Sequence, residues 1–317
     1  MAPQQQGGGM SLNQHLQANA SIRGSLLASA PRMRKNIGTF TVANSTTTNV
    51  GGTTRIQLFN VGVLTSLQLA VSLPITIGTA TATPSPRAPY NLIQRVRVTD
   101  YDGTDRVSFS GFQLFVINCV RTRIPYGVNN TGPITSSGSA QNGGIITNPS
   151  TPTAVGNATL AFLLDVPICY DPEEDLRGAM LMQTATGLAL LTIDWAPVLY
   201  NNGNVDGVYD GAATTTVVMN GVLSLTVWQE YLMPQAIGGQ VNLPYIDLDT
   251  VYELNGNYRD SNNIVVNNEK LFNYPNVRSV IGSYFTYIDG AANMLATDIS
   301  EFRLIANGNN VLRDDSL

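Results

Sequence analysis

Residue types that do chemistry are sparse in this chain of 317 residues, and their spacing does not assemble a reaction centre. The single histidine, His15, sits in a Gln- and Gly-rich start, whereas metal enzymes built on β-barrels draw on several imidazoles. No phosphate-binding loop, nucleophile elbow or paired-cysteine motif occurs. Cys119 and Cys169 each lie in an apolar run, which predicts two buried, reduced thiols and no disulfide framework. The densest carboxylates are Asp171, Glu173, Glu174 and Asp175. Their spacing does not fit a calcium loop. Asp171 before Pro172, with Glu174 three residues on, predicts a capped helix start, and Gly178 its end. Asp247 and Asp249 are alternate residues of an extended segment. Neither an enzyme nor a cofactor is expected. Tyr101, Trp195, Trp228 and Tyr284 could stack on a sugar or a receptor, but most aromatic residues here fall in strand patterns and are expected in the core.

Charge is the sharper signal. Charged residues make up only 12% of the chain, about half the usual share of roughly 25%. Residues 1–99 hold eight basic residues and no acidic one, a charge of +8. The other 9 basic and 22 acidic residues make the remainder −13, which with +8 gives the net −5. Such a division predicts two surfaces for two kinds of partner. Arg23, Arg32, Arg34 and Lys35 cluster near the start, after an amphipathic pattern over 11–29 that Pro31 stops. A short helix followed by a basic cluster predicts a docking arm over residues 1–37. Those four residues are the candidate contacts with anionic lipid headgroups, nucleic acid or an acidic patch on a neighbouring copy. Beyond the arm, an acidic body is repelled by phosphate, so no direct sequence-specific nucleic-acid binding is expected. No stretch approaches 18 consecutive apolar residues, and the N-terminus lacks the basic start and apolar core of a secretory signal.

The elements that would position these residues read as β from Ile37 onward. Alternation predicts strands over 38–43, 54–59, 63–73, 159–166, 188–195 and 222–231. The centre of the pattern is 89–120. Asp102-Gly103 predicts a two-residue hairpin turn, with Val98 opposite Val107 and Val96 opposite Phe109 on one face. Arg97 and Ser108, and Arg95 and Ser110, then share the other. After Ser110 the period changes. Ser110 could cap a helix carrying Phe112, Phe115, Val116 and Cys119, or the segment is a buried strand, and spacing leaves both open. Residues 124–158 predict a long surface excursion with a short strand at 144–147. Residues 214–231 read either as a hairpin turning at Asn220-Gly221 or, preferably, as one strand with an irregularity at the glycine. Residues 233–244 predict a linker. Strands over 263–274, 277–288 and 299–305 follow, with a turn at Asn307-Gly308.

Several motifs recur in a fixed order: PYNLIQRV at 89–96, SGFQLFVIN at 110–118, LLDVPICYDPEEDLRGAML at 163–181, LTVWQEYL at 225–232 and NLPYIDLDTVYEL at 242–254. In that order the chain resembles the major capsid proteins of tectiviruses, tailless phages with an internal membrane. The resemblance covers roughly 40–305. It implies an all-β fold of two side-by-side jelly rolls: an arm over 1–37, a first jelly roll over 38–232, a linker over 233–244 and a second over 245–317. It further implies a homotrimeric, pseudo-hexagonal capsomer in an icosahedral virion shell, made in the host cytoplasm. The partners it implies are neighbouring capsomers, penton and other minor capsid proteins, and peripheral membrane lipid. The 77 residues from Val241 are few for eight strands, so the second jelly roll is expected to be short or incomplete. A minor vertex or receptor-binding spike is the competing function.

Overall fold

The computed structural model describes residues 30–42, 50–78, 82–85, 87–121, 151–171, 176, 178–182, 187–196, 198–200, 207–210, 216–234, 254–255, 301–306 and 310–316. In chain order the strands are β1 (Arg32–Val42), β2 (Thr53–Gln57), β3 (Val63–Ile77), β4 (Thr83–Pro84), β5 (Ile93–Thr99), β6 (Asp105–Phe109), β7 (Gly156–Pro167), β8 (Met180–Leu181), β9 (Leu190–Trp195), β10 (Tyr209–Asp210), β11 (Val217–Met219), β12 (Leu223–Leu232), β13 (Leu254–Asn255), β14 (Glu301–Ala306) and β15 (Asn310–Ser316). Helix α1 (Gly111–Arg121) follows β6.

Pairing sorts these strands into two facing sheets. In sheet 1, β12 lies between β1 and β3, and β7 runs along the other edge of β3, giving the order β1-β12-β3-β7. In sheet 2 the order is β6-β5-β9-β2, with β13 added in parallel at β6. Numbering the eight main strands by sequence, one sheet takes the first, eighth, third and sixth. The other takes the second, seventh, fourth and fifth. That alternation of sheets is the double Greek key of a jelly roll.

The core lies between the sheets. Alternation along β3 buries Leu67, Leu69, Val71, Leu73, Ile75 and Ile77 inward, as the sequence predicts, but the strand runs four residues beyond Leu73. Leu160, Phe162, Leu164 and Val166 from β7, and Leu223, Leu225 and Val227 from β12, face the same way. Sheet 2 answers with Ile56, Val96, Val98, Val107, Phe109, Leu191, Ile193 and Trp195. Tyr90 locks this layer to the helix: its ring stacks on Phe115 at 4.1 Å and meets Phe162 edge-on at 5.2 Å.

Helix, not strand, wins after Ser110, and the reason is local. Ser110 Oγ accepts from Gln113 N at 3.2 Å, and Ser110 N donates back to Gln113 Oε1 at 2.9 Å. This reciprocal capping box satisfies two donors that an uncapped start would leave open. Phe112, Leu114, Phe115, Ile117 and Cys119 are all buried, so α1 is covered on more than the single predicted stripe.

The hairpin register holds at Val96–Phe109, Arg97–Ser108 and Val98–Val107. The predicted two-residue turn does not. Asp100 N donates to Thr104 O at 2.9 Å, which leaves a three-residue loop, and the register shifts beyond Val98 so that Thr99 faces Asp105 and Arg106 is extra. Asp100 causes the change. Its Oδ1 accepts from Asp102 N and Thr104 N, and its Oδ2 takes Arg106 Nε at 2.5 Å, both side chains being buried. A carboxylate with those three donors holds the wider loop more firmly than a bare Asp-Gly turn would.

The irregularity expected at Gly221 is real and has a cause in the neighbouring strand. β11 and β12 run along the same edge of β3, with two extra residues where they break. Opposite the break sits Pro74, which has no N–H to give; its carbonyl accepts from Asn220 N at 2.9 Å. A Cβ on Gly221 would lie 3.0 Å from the proline ring.

β1 starts at Arg32, not at Gly38. Residues 32–37, expected as the end of the arm, pair with β12 from Leu232 to Trp228. The physical reason is that β12 otherwise offers a bare edge here. The predicted helix over 11–29, the strand at 144–147, the acidic helix start at 172–175, most of the linker and the strands over 263–288 lie outside the described residues. β14 and β15 form an antiparallel pair around the predicted Asn307-Gly308 turn.

Candidate assembly surfaces

Each sheet buries one face and presents the other, so the outward faces are where a partner would meet this barrel. On sheet 1 the outward residues of one row are Arg34, Glu230 and Ser66; the next holds Asn36, Trp228, Gln68 and Asp165. Arg34 ties the two rows together. Its Nη2 donates to Gln68 Oε1, its Nε lies 3.9 Å from Glu230 Oε1, and its guanidinium covers the Trp228 ring at 4.7 Å. Gln68 passes the link on, donating through Nε2 to Asp165 Oδ1 at 3.1 Å, while Ser66 Oγ donates to Glu230 Oε2 at 2.9 Å. Burial pushes the Asp165 carboxyl above its ordinary value of 3.8; the Gln68 hydrogen bond opposes the rise, Glu230 adds to it, and Arg34 and Arg121 pull it down. Beyond this network the same face turns uncharged: Thr226, Ala70 and Leu163, then Ser224, Ser72 and Ala161, form a shallow depression of ≈ 320 Å³.

Lys35 points the other way. Its Nζ lies 4.0 Å over the Phe59 ring. The neighbouring Gln229, fully buried, clamps Phe59 through both backbone groups, accepting from its N at 3.0 Å and donating to its O at 2.9 Å. Of the four basic residues singled out by sequence, Arg34 and Lys35 thus serve the barrel itself. Arg32 pairs in the strand opposite Leu232, and Arg23 lies outside the described residues.

Sheet 2 gathers basic residues that sequence reasoning counted but did not place together. One row across the outward face reads Arg55, Thr192, Arg97, Ser108; the adjacent row reads Thr53, Asp194, Arg95. Arg95 donates twice to Ser108 Oγ, at 2.9 and 2.7 Å, and Arg97 Nη2 stands 3.5 Å from Asp194 Oδ2. Thr53 Oγ1 donates to Asp194 Oδ1 at 2.7 Å. Strand alternation alone would have put Arg55, Arg95 and Arg97 outward. Only the pairing of β2 with β9, and of β9 with β5, brings them side by side.

The aromatic residues considered for stacking are spoken for. Trp195 is buried and donates through Nε1 to Thr54 Oγ1 at 2.9 Å, Trp228 lies under Arg34, and Tyr101 packs against the core; Tyr284 lies outside the described residues. Cys119 and Cys169 are buried free thiols, and burial pushes the Cys119 thiol up to about 11. Among the described residues no group of three or more His, Cys, Asp or Glu side chains is placed to hold a metal ion. No described helix is long and apolar enough to cross a membrane.

A single-chain jelly roll with two structured outward faces and a core filled by its own side chains is the architecture of a shell-building protein. A family model described as the P3 major capsid protein N-terminal region matches residues 4–234, which span the whole barrel. The chain belongs to that family of major capsid proteins. Among solved structures it is similar to the STIV MCP (15% identity, TM-score 0.40, covering 65% of this chain and 50% of that one). It is also similar to the mavirus major capsid protein (14% identity, TM-score 0.36, 65% and 48%) and to the Sputnik virophage structure (11% identity, TM-score 0.36, 68% and 49%). The chain spans about half the length of these structures. No curated protein matches it.

Proposed function

We propose that this chain builds the shell of an icosahedral virion as its major capsid protein, assembling as homotrimeric, pseudo-hexagonal capsomers around an internal membrane. The observation that carries the reading is the strand order of the barrel taken with the family match over residues 4–234. The barrel interior is closed by leucine, isoleucine, valine and aromatic side chains, so the surfaces left to act are the outward faces and the loops. Function then rests on complementarity between copies, not on catalysis. Penton and minor capsid proteins would meet the same shell at its vertices.

The lipid-facing part of the proposal falls to the residues before β1. Arg34 and Lys35 are committed to Trp228 and Phe59, which leaves Arg23 and its neighbours to meet headgroups. Light scattering on the soluble protein tests the capsomer: a stable trimer is expected, and a monomer at micromolar concentration would sink it. Denaturing gels of purified particles test the major role, because a trace component would be a spike or vertex protein instead. Flotation with anionic vesicles tests the arm, with Arg23→Ser expected to weaken binding.

A further inference from the structure

The outward face of sheet 2 has no role in the reading above. It carries Arg55, Arg95 and Arg97 on two adjacent strand rows, with Asp194 as the single carboxylate among them. The net charge of that group is therefore +2. Arg55 is exposed, and Arg95 and Arg97 are half-buried. Arg97 Nε is buried with no hydrogen-bond partner among the described residues, although Nη2 reaches Asp194. The patch is thus positively charged, held in place by Ser108 and Asp194, and incompletely satisfied.

We propose that this face docks a second copy of the same chain through that copy's acidic portion. The argument is charge complementarity, and it rests on the shell-building reading. Residues 1–99 carry +8, and these three arginines belong to them; residues 100–317 carry −13. Two oppositely charged surfaces on one chain attract each other between copies, and a contact joining different patches is head-to-tail. Such a contact closes into a ring when the rotation per copy permits, which is what a trimeric capsomer requires. Anionic lipid could also neutralise three arginines, and the test separates the two.

The full-length protein is compared with Arg55→Glu and with Arg95→Gln, each first checked for an unchanged circular dichroism spectrum and melting temperature. Arg55→Glu touches only an exposed side chain, so it keeps the test usable if Arg95→Gln fails to fold. Self-association is followed by light scattering from 50 to 500 mM salt, values set on the order of the range where screening lengths fall below 10 Å. The expected result is association that weakens with salt and falls at least tenfold in Arg55→Glu. Wild-type association with an unchanged variant overturns this face but leaves the shell reading standing. A wild type that never associates overturns both. Loss of binding to anionic vesicles with self-association intact assigns the face to lipid and overturns the proposal.

Discussion

Asp100 and Arg106 are the residues on which the central hairpin depends. Both are buried, and their contact is 2.5 Å. Removing one partner of a buried pair leaves the other charged in a poor solvent, at a cost of roughly 3–5 kcal/mol. Arg106→Leu is therefore expected to lower stability by about that much in urea unfolding. Asp100→Asn combined with Arg106→Leu should lose less, because the asparagine oxygen can still accept from Asp102 N and Thr104 N. Asp165 makes a prediction of opposite sense. Its raised folded pKa means that the folded chain holds the proton more tightly than the unfolded one. The group's contribution is then full below about 3.8 and is lost as pH rises through the folded value. Asp165→Asn keeps an acceptor for Gln68 and should flatten that slope, melting higher than wild type at pH 7 but not at pH 3. Equal differences at both pH values would count against burial as the cause. Both thiols should ignore a thiol reagent at pH 8 until the chain is unfolded, since Cys119 is neutral there and both are enclosed.

At the scale of elements, joints between strands and helix are set by a few small or capping residues. Ser110→Ala removes the side-chain half of the capping box and should cost about 1 kcal/mol, with Ser110→Thr restoring most of it. Gly62 is less forgiving. Its φ is +58°, and an added Cβ would fall 2.4 Å from Leu232 O and 2.7 Å from the Tyr231 ring. Gly62→Ala is expected to displace the end of β12 and lower the melting temperature by several degrees, visible in a thermal scan. The strand faces were legible in the sequence because period-two alternation in β3, β7 and β12 reports directly which side is buried. The wider hairpin loop was not, because Asp100 acts through a residue six positions away. The break at Asn220 was legible in place but not in cause, since Pro74 lies far off in sequence.

The whole molecule is closed by its most distant pairing. β1 reaches β12 across about 200 residues, Arg32 lying opposite Leu232. Without β1, β12 would expose a ten-residue edge and uncover Trp228. Removal of residues 1–29 should leave a well-behaved protein, whereas removal of residues 1–42 should give aggregates on size-exclusion chromatography. By itself the sequence determined the β class, the inward faces, the capsid resemblance and the separation of basic from acidic charge, because these follow from local alternation and composition. It placed Arg32, Arg34 and Lys35 together on an arm. The tertiary structure instead put them in an edge strand, with Arg34 and Lys35 on opposite faces, and gathered Arg55, Arg95 and Arg97 on another sheet. Neighbours across a sheet are fixed by long-range backbone pairing, and that pairing leaves no mark in any short window of sequence.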